Sequence, residues 1–204
     1  MRARGRLITL EGVDGAGKST HLQSIADALA TTGRHVIVTR EPGGTELAEQ
    51  LRTAILGQAM DPQVETLLIF AARADHVARV IRPTLEAGSW VVCDRFSDAT
   101  AAYQGAGKGV SAELIERLCQ VAHPGLQPDR TLLFDCSYEV ASRRLKASGK
   151  PLDRFEREDR AFFERVRAAY LARAKAEPAR VRVIDAGMDA GPVRSAVEQA
   201  LAGL

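Results

Sequence analysis

The stretch RLITLEGVDGAGKST, residues 6–20, decides the fold because it joins a predicted strand to a predicted helix through a glycine-rich turn. Residues 6–10 form an apolar, β-type run, and residues 19–32 have a helical pattern. Between them, residues 12–19 fit the pattern G-x-x-x-x-G-K-[ST]. This context is the one that confirms a P-loop, whose backbone N–H groups cradle phosphates at a helix N-terminus. The chain is therefore expected to bind a nucleoside triphosphate.

The loop residues are expected to hold the phosphates of ATP together with Mg²⁺. Lys18 would supply a point charge to the β and γ phosphates, and the Ser19 hydroxyl can ligate the metal ion. A P-loop by itself does not separate GTPases, ATPase motors and small-molecule kinases. No guanine-reading N-K-x-D is present and a motor usually has a longer chain, which favours a kinase. The expected ATP contacts in the loop are Gly12, Val13, Asp14, Gly15, Ala16, Gly17, Lys18, Ser19 and Thr20.

Four further β-type runs alternate with helical patterns along the chain. Strands rich in Val, Ile and Leu that are joined through helices pair in parallel, with both faces of the sheet covered. The sequence therefore predicts a doubly wound, five-stranded parallel α/β sheet with ligands beyond the carboxyl ends of its strands. The further strands are expected at residues 35–39, 90–93, 130–134 and 181–184, and helices at residues 63–87, 112–122, 138–147 and 159–176.

Composition limits the remaining choices. The 204 residues suit one domain, residues 1–204, and the net charge of +2 is too small to indicate nucleic-acid or membrane binding. The apolar stretches are too short for a membrane helix, and the apolar run after the basic start is too short for a signal peptide. The three cysteines lack metal-ligand spacing, which favours reduced thiols in a cytoplasmic protein.

Four arginines fall where a second phosphate could bind. Arg40 and Arg95 follow predicted strands, whereas Arg52 and Arg73 lie on predicted helices. Arginine suits bidentate phosphate recognition, although on a surface helix it is usually only solvated. Asp94, beside Arg95, is a candidate carboxylate for the Mg²⁺ site or for orienting the acceptor, because a buried charge needs such a partner.

Two aromatic residues could contact a base or a sugar. Phe70 and Arg73 are three residues apart on a helix, so they share a face and could combine a stacking surface with a donor fork. Taken alone, Phe70 is more often a core residue. Tyr103 and Gln104 follow the strand end at residues 94–95 by about two helical turns and offer a ring and an amide.

Taken together, these motifs resemble the bacterial type of the thymidylate kinase family over nearly the whole chain. No motif other than the P-loop would carry the resemblance by itself. The segments that carry it are EGVDGAGKST at residues 11–20, TREPGGT at 39–45, FAAR at 70–73, DRF at 94–96, AYQG at 102–105 and LDRFE at 152–156.

The resemblance implies phosphoryl transfer from ATP·Mg²⁺ to dTMP in an adenylate-kinase-like fold with a lid, usually as a homodimer. By motif, Asp14 would contact the 3′-hydroxyl of dTMP and Tyr103 would crowd the 2′ position. The residues expected around dTMP are Asp14, Arg40, Glu41, Pro42, Arg52, Phe70, Arg73, Arg95, Thr100, Tyr103 and Gln104. Those expected to act in catalysis are Lys18, Asp14, Arg95 and Arg154, and those expected at the metal are Ser19 and Asp94.

Gly15 marks one departure from the family pattern. Some members have an arginine at this position, and members with glycine supply the charge from the lid. Residues 148–158, which are rich in Gly, Pro and charge between two helical patterns, are predicted to form this flap. Arg154 is then the expected lid arginine, with Arg157 and Lys150 as alternatives. Such an arginine would stabilise charge on the transferring group as the lid closes.

The base-binding helix departs in its spacing. The Phe and Arg of this helix are commonly four residues apart in the family, whereas Phe70 and Arg73 are three apart. Either Phe70 or Ile69 could therefore face the base, and Phe70 is favoured because only it can stack. Arg143, which precedes the lid, is expected near the adenine of ATP.

Two alternatives remain open from the sequence. One is another nucleoside monophosphate kinase, acting on dUMP, UMP or CMP. The other is a P-loop binding or regulatory protein that hydrolyses ATP slowly without an acceptor. The arginine-rich acceptor side argues against the second alternative.

Overall fold

The computed structural model describes residues 4–149 and 151–204, in which five strands form one parallel sheet. The sheet order is β2-β3-β1-β4-β5, so β1 lies at the centre and each neighbour is reached by a crossover. The predicted parallel α/β fold is confirmed. The strands are β1 (Leu7–Glu11), β2 (Val36–Arg40), β3 (Trp90–Asp94), β4 (Arg130–Asp135) and β5 (Val181–Asp185).

Each strand ends one residue later than the apolar pattern predicts. The last pairs of three ladders join Glu11 to Leu133, Arg40 to Asp94, and Asp135 to Asp185. Backbone pairing does not depend on side-chain polarity, so the ladder continues through one charged residue past the apolar run. Most of these charged side chains therefore lie at the carboxyl ends of the strands, where ligands of such folds bind.

Helices cover both faces of the sheet and several begin at side-chain caps. Thr45, Ser111, Ser137 and Asp159 each accept a hydrogen bond from the first turn of a helix. None of the helices in the described residues is long and apolar enough to cross a membrane. The helices are α1 (Lys18–Ala30), α2 (Glu46–Gly57), α3 (Pro62–His76), α4 (Arg82–Glu86), α5 (Ser97–Thr100), α6 (Ala112–Ala122), α7 (Tyr138–Ala147), α8 (Arg160–Ala176) and α9 (Ala190–Leu201).

Two π-helical turns interrupt the helical segments. Val77–Ile81 joins α3 to α4, and Ala101–Gly107 continues α5. Turns of this kind are rare in proteins, and those that occur are frequently found at functional sites. The second turn carries Tyr103 and Gln104, both buried, so it sets where these two side chains point.

The core follows the two faces of the central strand. Ile8 and Leu10 belong to the larger apolar cluster, which includes residues of α1, α8 and α9. Leu7 points to the opposite face, where it joins Ile81 and Leu85 of the interrupted helix. Because side chains alternate along a strand, β1 is anchored on both faces and holds the loop that follows it in place.

Candidate active site

The glycine-rich loop between β1 and α1 wraps around the ammonium group of Lys18. The Lys18 Nζ donates to the carbonyl oxygens of Gly12 at 2.9 Å and Val13 at 3.1 Å, and the residue is 6% exposed. Gly15 has a φ of +81°, and a Cβ there would lie 2.5 Å from the backbone oxygen of Ala141. The close approach of α7 therefore leaves no room for a side chain at Gly15.

Arg95, directly after β3, connects the P-loop to the helical side of the cleft. Its φ of +70° lies in the left-handed region that non-glycine residues rarely adopt, which marks a backbone held under strain. Its Nη1 donates to the Gly12 oxygen at 3.0 Å, and its Nη2 donates to the Asp14 Oδ1 at 2.5 Å and the Tyr103 hydroxyl at 3.1 Å. The surrounding contacts thus fix this guanidinium in one place.

The Asp14 carboxylate forms an ion pair with the Arg95 guanidinium. The Tyr103 hydroxyl donates to its Oδ2 at 2.8 Å, while Arg95 holds Oδ1. Burial acts to raise the pKa of Asp14, but the charges of Arg95 and Lys18 and the Tyr103 hydrogen bond outweigh it and hold the pKa below its usual value. Asp14 is therefore an ionised acceptor at the junction of the loop and the cleft.

Glu11 shapes the turn that carries Arg95. The Phe96 N–H donates to its Oε1 at 2.7 Å, and the Tyr170 hydroxyl donates to its Oε2 at 2.8 Å. Burial, with a smaller contribution from the Asp98 carboxylate, raises the pKa of Glu11 to about 8. Glu11 thus ties β1 to the strained turn after β3 and to α8.

Arg73 lies in a second polar cluster, on α3. Its Nε donates to the Glu41 Oε2 at 2.6 Å, and its Nη2 donates to the Thr100 Oγ1 at 3.1 Å. His76 contacts the other Glu41 oxygen at 3.0 Å, so the carboxylate is fixed from two sides. The Arg73 Nη1 is buried and has no hydrogen-bond partner in the described part of the chain. A buried unpaired donor is costly, so this nitrogen is suited to an acceptor on a ligand.

Two cavities meet between these clusters. A phosphate cleft runs along the P-loop and includes residues 14–21, Arg40, Asp94 and Arg144. An acceptor cavity lies beside it and is lined by Ile69, Arg73, Thr100, Tyr103 and Gln104, among others. The residues that line both are Asp14, Glu41, Arg52, Arg95 and Asp153. Two ligands bound in these cavities would therefore meet between Asp14 and the guanidinium groups of Arg52 and Arg95.

The end of β3 offers a place for a divalent cation. The Asp94 Oδ1 is buried without a hydrogen-bond partner in the described residues, and Asp94 and Ser19 both line the phosphate cleft. No group of three or more His, Cys, Asp and Glu side chains in residues 4–149 and 151–204 could hold a metal ion. Magnesium needs only one or two protein oxygens when phosphate and water complete its shell, so these residues fit Mg²⁺.

Comparisons with known proteins agree on one family. The family model for thymidylate kinase matches residues 10–197. The thymidylate kinase of Bordetella petrii is 56% identical over 204 residues, which is 100% of this chain and 98% of that protein. The thymidylate kinase of Methylobacillus flagellatus is 54% identical, covering 95% of each chain. The solved structure of the Ehrlichia chaffeensis thymidylate kinase superposes with a TM-score of 0.80 at 33% identity, covering 97% of this chain and 98% of that one.

The chain belongs to the thymidylate kinase family. It is a nucleoside monophosphate kinase that transfers a phosphoryl group from ATP to dTMP, giving dTDP for dTTP synthesis. The resemblance drawn from the sequence motifs is thus confirmed, and the alternative of a binding protein without an acceptor is set aside.

Most residues expected to bind dTMP line one of the two cavities. Arg40 lies in the phosphate cleft, where it also pairs with Glu49 at 2.9 Å. The Arg52 Nη1 donates to the Pro42 oxygen at 2.9 Å. The acceptor cavity brings together Asp14, Glu41, Pro42, Arg52, Arg73, Arg95, Thr100, Tyr103 and Gln104.

The structure places Ile69, and not the favoured Phe70, at the acceptor cavity, and the contact with the base stays a prediction. Ile69 lines the acceptor cavity, whereas Phe70 packs in a separate cluster with Val110 and Ile115. Residues four apart are separated by about 40° around a helix and residues three apart by about 60° in the opposite sense, so Ile69 and Phe70 flank Arg73 on two sides. The Phe70 ring still contacts Arg73, whose Cζ lies 4.7 Å from the ring centre.

Arg143, expected near the adenine, lies outside the phosphate cleft in this structure. Arg143 is exposed and lines a surface pocket with Tyr138 and Arg160 that lies outside the phosphate cleft. The next residue, Arg144, lines the cleft and donates to the Ala16 oxygen at 3.4 Å. One step along a helix turns a side chain by about 100°, which separates these two arginines.

Arg154 is not placed at the phosphates in this structure. Its guanidinium donates to the Ile55 oxygen and pairs with Glu65, because that fully buried carboxylate requires positive partners. Arg157 is exposed and lines neither cavity, and Lys150 lies outside the described residues. The described cations that line the phosphate cleft are Lys18, Arg40, Arg52, Arg95 and Arg144.

Sequence reasoning missed Glu65 and His76 as members of the site. Both are fully buried on α3, the helix that carries Ile69 and Arg73. Positions 65, 69, 73 and 76 follow the spacing of one helix face. Polar residues on the apolar stripe of a helix were the signal that could have identified them.

Proposed function

We propose that phosphoryl transfer occurs where the phosphate cleft opens into the acceptor cavity. The observation that carries this proposal is the shared lining, which includes Asp14, Arg52 and Arg95. A donor phosphate on the P-loop and an acceptor phosphate in the adjoining cavity would approach each other at these charges. Phosphoryl transfer depends mainly on such positioning and charge stabilisation.

On the acceptor side, arginines bind the phosphate of dTMP and α3 contacts its base. Arg95 and Arg52 hold the acceptor phosphate, with Arg40 at the edge of the cleft. The Arg73 Nη1 donates to the O4 of thymine, an assignment supported by its buried, unpaired state. Asp14 accepts from the 3′-hydroxyl, and Tyr103, held by its hydrogen bond to Asp14, crowds the 2′ position.

On the donor side, the loop amides of residues 12–20 and Lys18 hold the β and γ phosphates of ATP. Ser19 and Asp94 hold Mg²⁺, which neutralises charge on the phosphate oxygens. Arg144 lines the cleft from α7 and donates to the P-loop oxygen of Ala16, so it adds a positive charge beside the bound phosphates. Arg154 acts on the transferring group only after it exchanges Glu65 for phosphate, as the lid of residues 148–158 rearranges.

We also propose a cytoplasmic homodimer in which each chain is a single domain. Three unpaired cysteines favour a reducing compartment. Exposed apolar side chains lie on α2 (Leu47), α3 (Val64 and Leu67) and α6 (Val121), and α3 packs against the other two helices. Residues three apart share a helix face, so Val64 and Leu67 form one patch suited to a second copy of the chain.

Paired variants test this assignment of the two cavities. Arg52→Met should raise the KM for dTMP by about tenfold or more with the KM for ATP unchanged, because it removes a charged phosphate contact. Lys18→Met should lower kcat by about 10² to 10³ with little change in dTMP binding. Steady-state kinetics with each substrate varied in turn measures both, and an Arg52→Met protein that loses ATP affinity instead would contradict the assignment.

A further inference from the structure

Glu65 is a buried carboxylate behind the wall of the acceptor cavity. It lies on α3, its side chain is 0% exposed, and three donors surround it. The Gln104 Nε2 donates to its Oε1 at 2.8 Å. The Lys108 Nζ contacts both oxygens, at 3.0 and 2.8 Å, and Arg154 pairs with Oε2. Glu65 therefore receives hydrogen bonds and ion pairs from three residues on two segments of the chain, the π-helical turn with its end at Lys108 and the segment that carries Arg154.

This contact decides which end of the Gln104 amide faces the cavity. A carboxylate accepts hydrogen bonds and cannot donate, so only the NH₂ end of Gln104 can point at Glu65. The carbonyl Oε1 must then point the other way. Gln104 lines the acceptor cavity, and its Oε1 has no hydrogen-bond partner among the described residues. The cavity wall consequently presents an acceptor at Gln104, near the donor that Arg73 presents.

We propose that Glu65 is a positioning residue that sets the base selectivity of the acceptor cavity by fixing the polarity of Gln104. The proposal rests on the proposed binding of the base in this cavity. Thymine and uracil carry an N3–H that can donate to Oε1. Cytosine has an acceptor at N3, so its N3 and the Gln104 Oε1 would be two acceptors facing each other with no hydrogen between them. Leaving such an acceptor pair unmatched costs binding free energy. Glu65 thus excludes cytosine without touching the nucleotide.

Lys108 and Arg154 contact Glu65 but do not orient Gln104. Both are cations that compensate the buried charge of Glu65, and neither contacts Gln104 in the hydrogen bonds of the described residues. Because Glu65 remains an acceptor when one cation is removed, the orientation of Gln104 should not depend on Lys108. Lys108→Met is therefore the matched control for a substitution of Glu65.

The test compares kcat/KM for dTMP with kcat/KM for 5-methyl-dCMP, which keeps the 5-methyl group and differs at N3 and C4. Glu65→Gln allows residue 65 to donate or accept, so Gln104 can turn its NH₂ toward the base. The preference for dTMP should fall by about tenfold or more, with part of it kept by Arg73. Lys108→Met should keep the wild-type preference. Changes that act through Arg154 affect both nucleotides and cancel in the ratio.

Gln104→Met separates failure of this proposal from failure of the proposed base site. A loss of preference in Gln104→Met together with an unchanged ratio in Glu65→Gln would overturn the role of Glu65 and leave the base site standing. An unchanged ratio in both variants would show that Gln104 does not read the base and would overturn the role of Glu65, whereas a failure of the base site itself would also leave the KM for dTMP unchanged in Gln104→Met.

A second measurement applies if Glu65→Gln does not fold. Exchange of the Gln104 side-chain amide protons can be followed by NMR in the wild-type protein, with Gln104→Met to assign the signals. Slow exchange that persists when dTMP is added supports an NH₂ group held on Glu65. Exchange at the rate of an exposed glutamine amide would overturn the proposal.

Discussion

Arg95 is the residue on which the geometry of the junction depends most. Its backbone has a positive φ and its guanidinium joins Gly12, Asp14 and Tyr103. Strain of this kind persists only where the surroundings over-determine it. Here the surroundings include Glu11, which holds the following peptide N–H. The strained turn therefore aims one guanidinium at the point where the two cavities meet.

The position of Ile69 at the acceptor cavity can be tested by changing this single side chain. Ile69→Ala should raise the KM for dTMP by about tenfold, because an apolar wall of the acceptor cavity is lost. Steady-state kinetics with dTMP as the varied substrate measures this effect.

Phe70→Leu is the matched control for that substitution. Phe70 packs with Val110 and Ile115, so its change should lower the free energy of unfolding by about 1–3 kcal/mol and leave the KM for dTMP within about twofold. Chemical denaturation and the same kinetics check both effects. A larger KM increase for Phe70→Leu than for Ile69→Ala would restore Phe70 as the base contact.

Sequence predicted the residues of the P-loop well because their arrangement is local. Lys18 and Gly15 lie within ten residues of β1, and the motif itself fixes their backbone. Ile69 was considered but not favoured, and Arg144 was missed, because one residue of helical rotation decides which side chain faces a cavity, and only packing against the rest of the molecule sets that rotation. Glu65 was missed because its partners come from segments far away in the chain.

At the level of whole elements, the strands and long helices were predicted closely and the short elements less well. β-type runs of Val, Ile and Leu locate buried parallel strands, since these strands are apolar on both faces. The π-helical turn Ala101–Gly107 has no comparable pattern in the sequence. It nevertheless carries Tyr103 and Gln104, so part of the lining of the acceptor cavity comes from an element that periodicity does not predict.

Among the elements, the segment with Arg154 has the largest difference between its proposed role and the contacts that it makes in this structure. Arg154→Met should lower kcat by roughly 10³, the scale of an arginine that stabilises a transferring phosphoryl group, because the lid is expected to deliver it to the phosphate cleft. Binding of dTMP should change far less than kcat. Single-turnover kinetics and titration calorimetry separate the two effects.

Arg157→Met is the control, since Arg157 is an exposed lid arginine outside both cavities. Its kcat should remain near that of the wild type. A decrease of less than tenfold for Arg154→Met would instead assign the missing charge to a cation already in the cleft, of which Arg144 is the nearest in sequence to the lid.

At the scale of the whole molecule, the apolar patch on α2, α3 and α6 predicts assembly. Leu67 is 51% exposed at the middle of this patch, and Leu67→Glu would bury a charge in the proposed interface. Light scattering coupled to size exclusion should show that the mass of the variant falls to one chain of 22.0 kDa. Val183→Glu, on edge strand β5, is the control and should keep the wild-type mass.

The most direct measurement of the central claim is ADP formation from ATP and Mg²⁺ with dTMP, dUMP, UMP, dCMP, GMP and AMP as acceptors, and with no acceptor. Arg73, Gln104 and Tyr103 line one cavity that joins the P-loop cleft. We expect kcat/KM for dTMP to exceed that for dCMP and for the purine nucleotides by about 100-fold or more, on the scale of two or three matched hydrogen bonds. Preference for another monophosphate, or ADP formation that does not depend on an acceptor, would contradict the assignment of this cavity to dTMP.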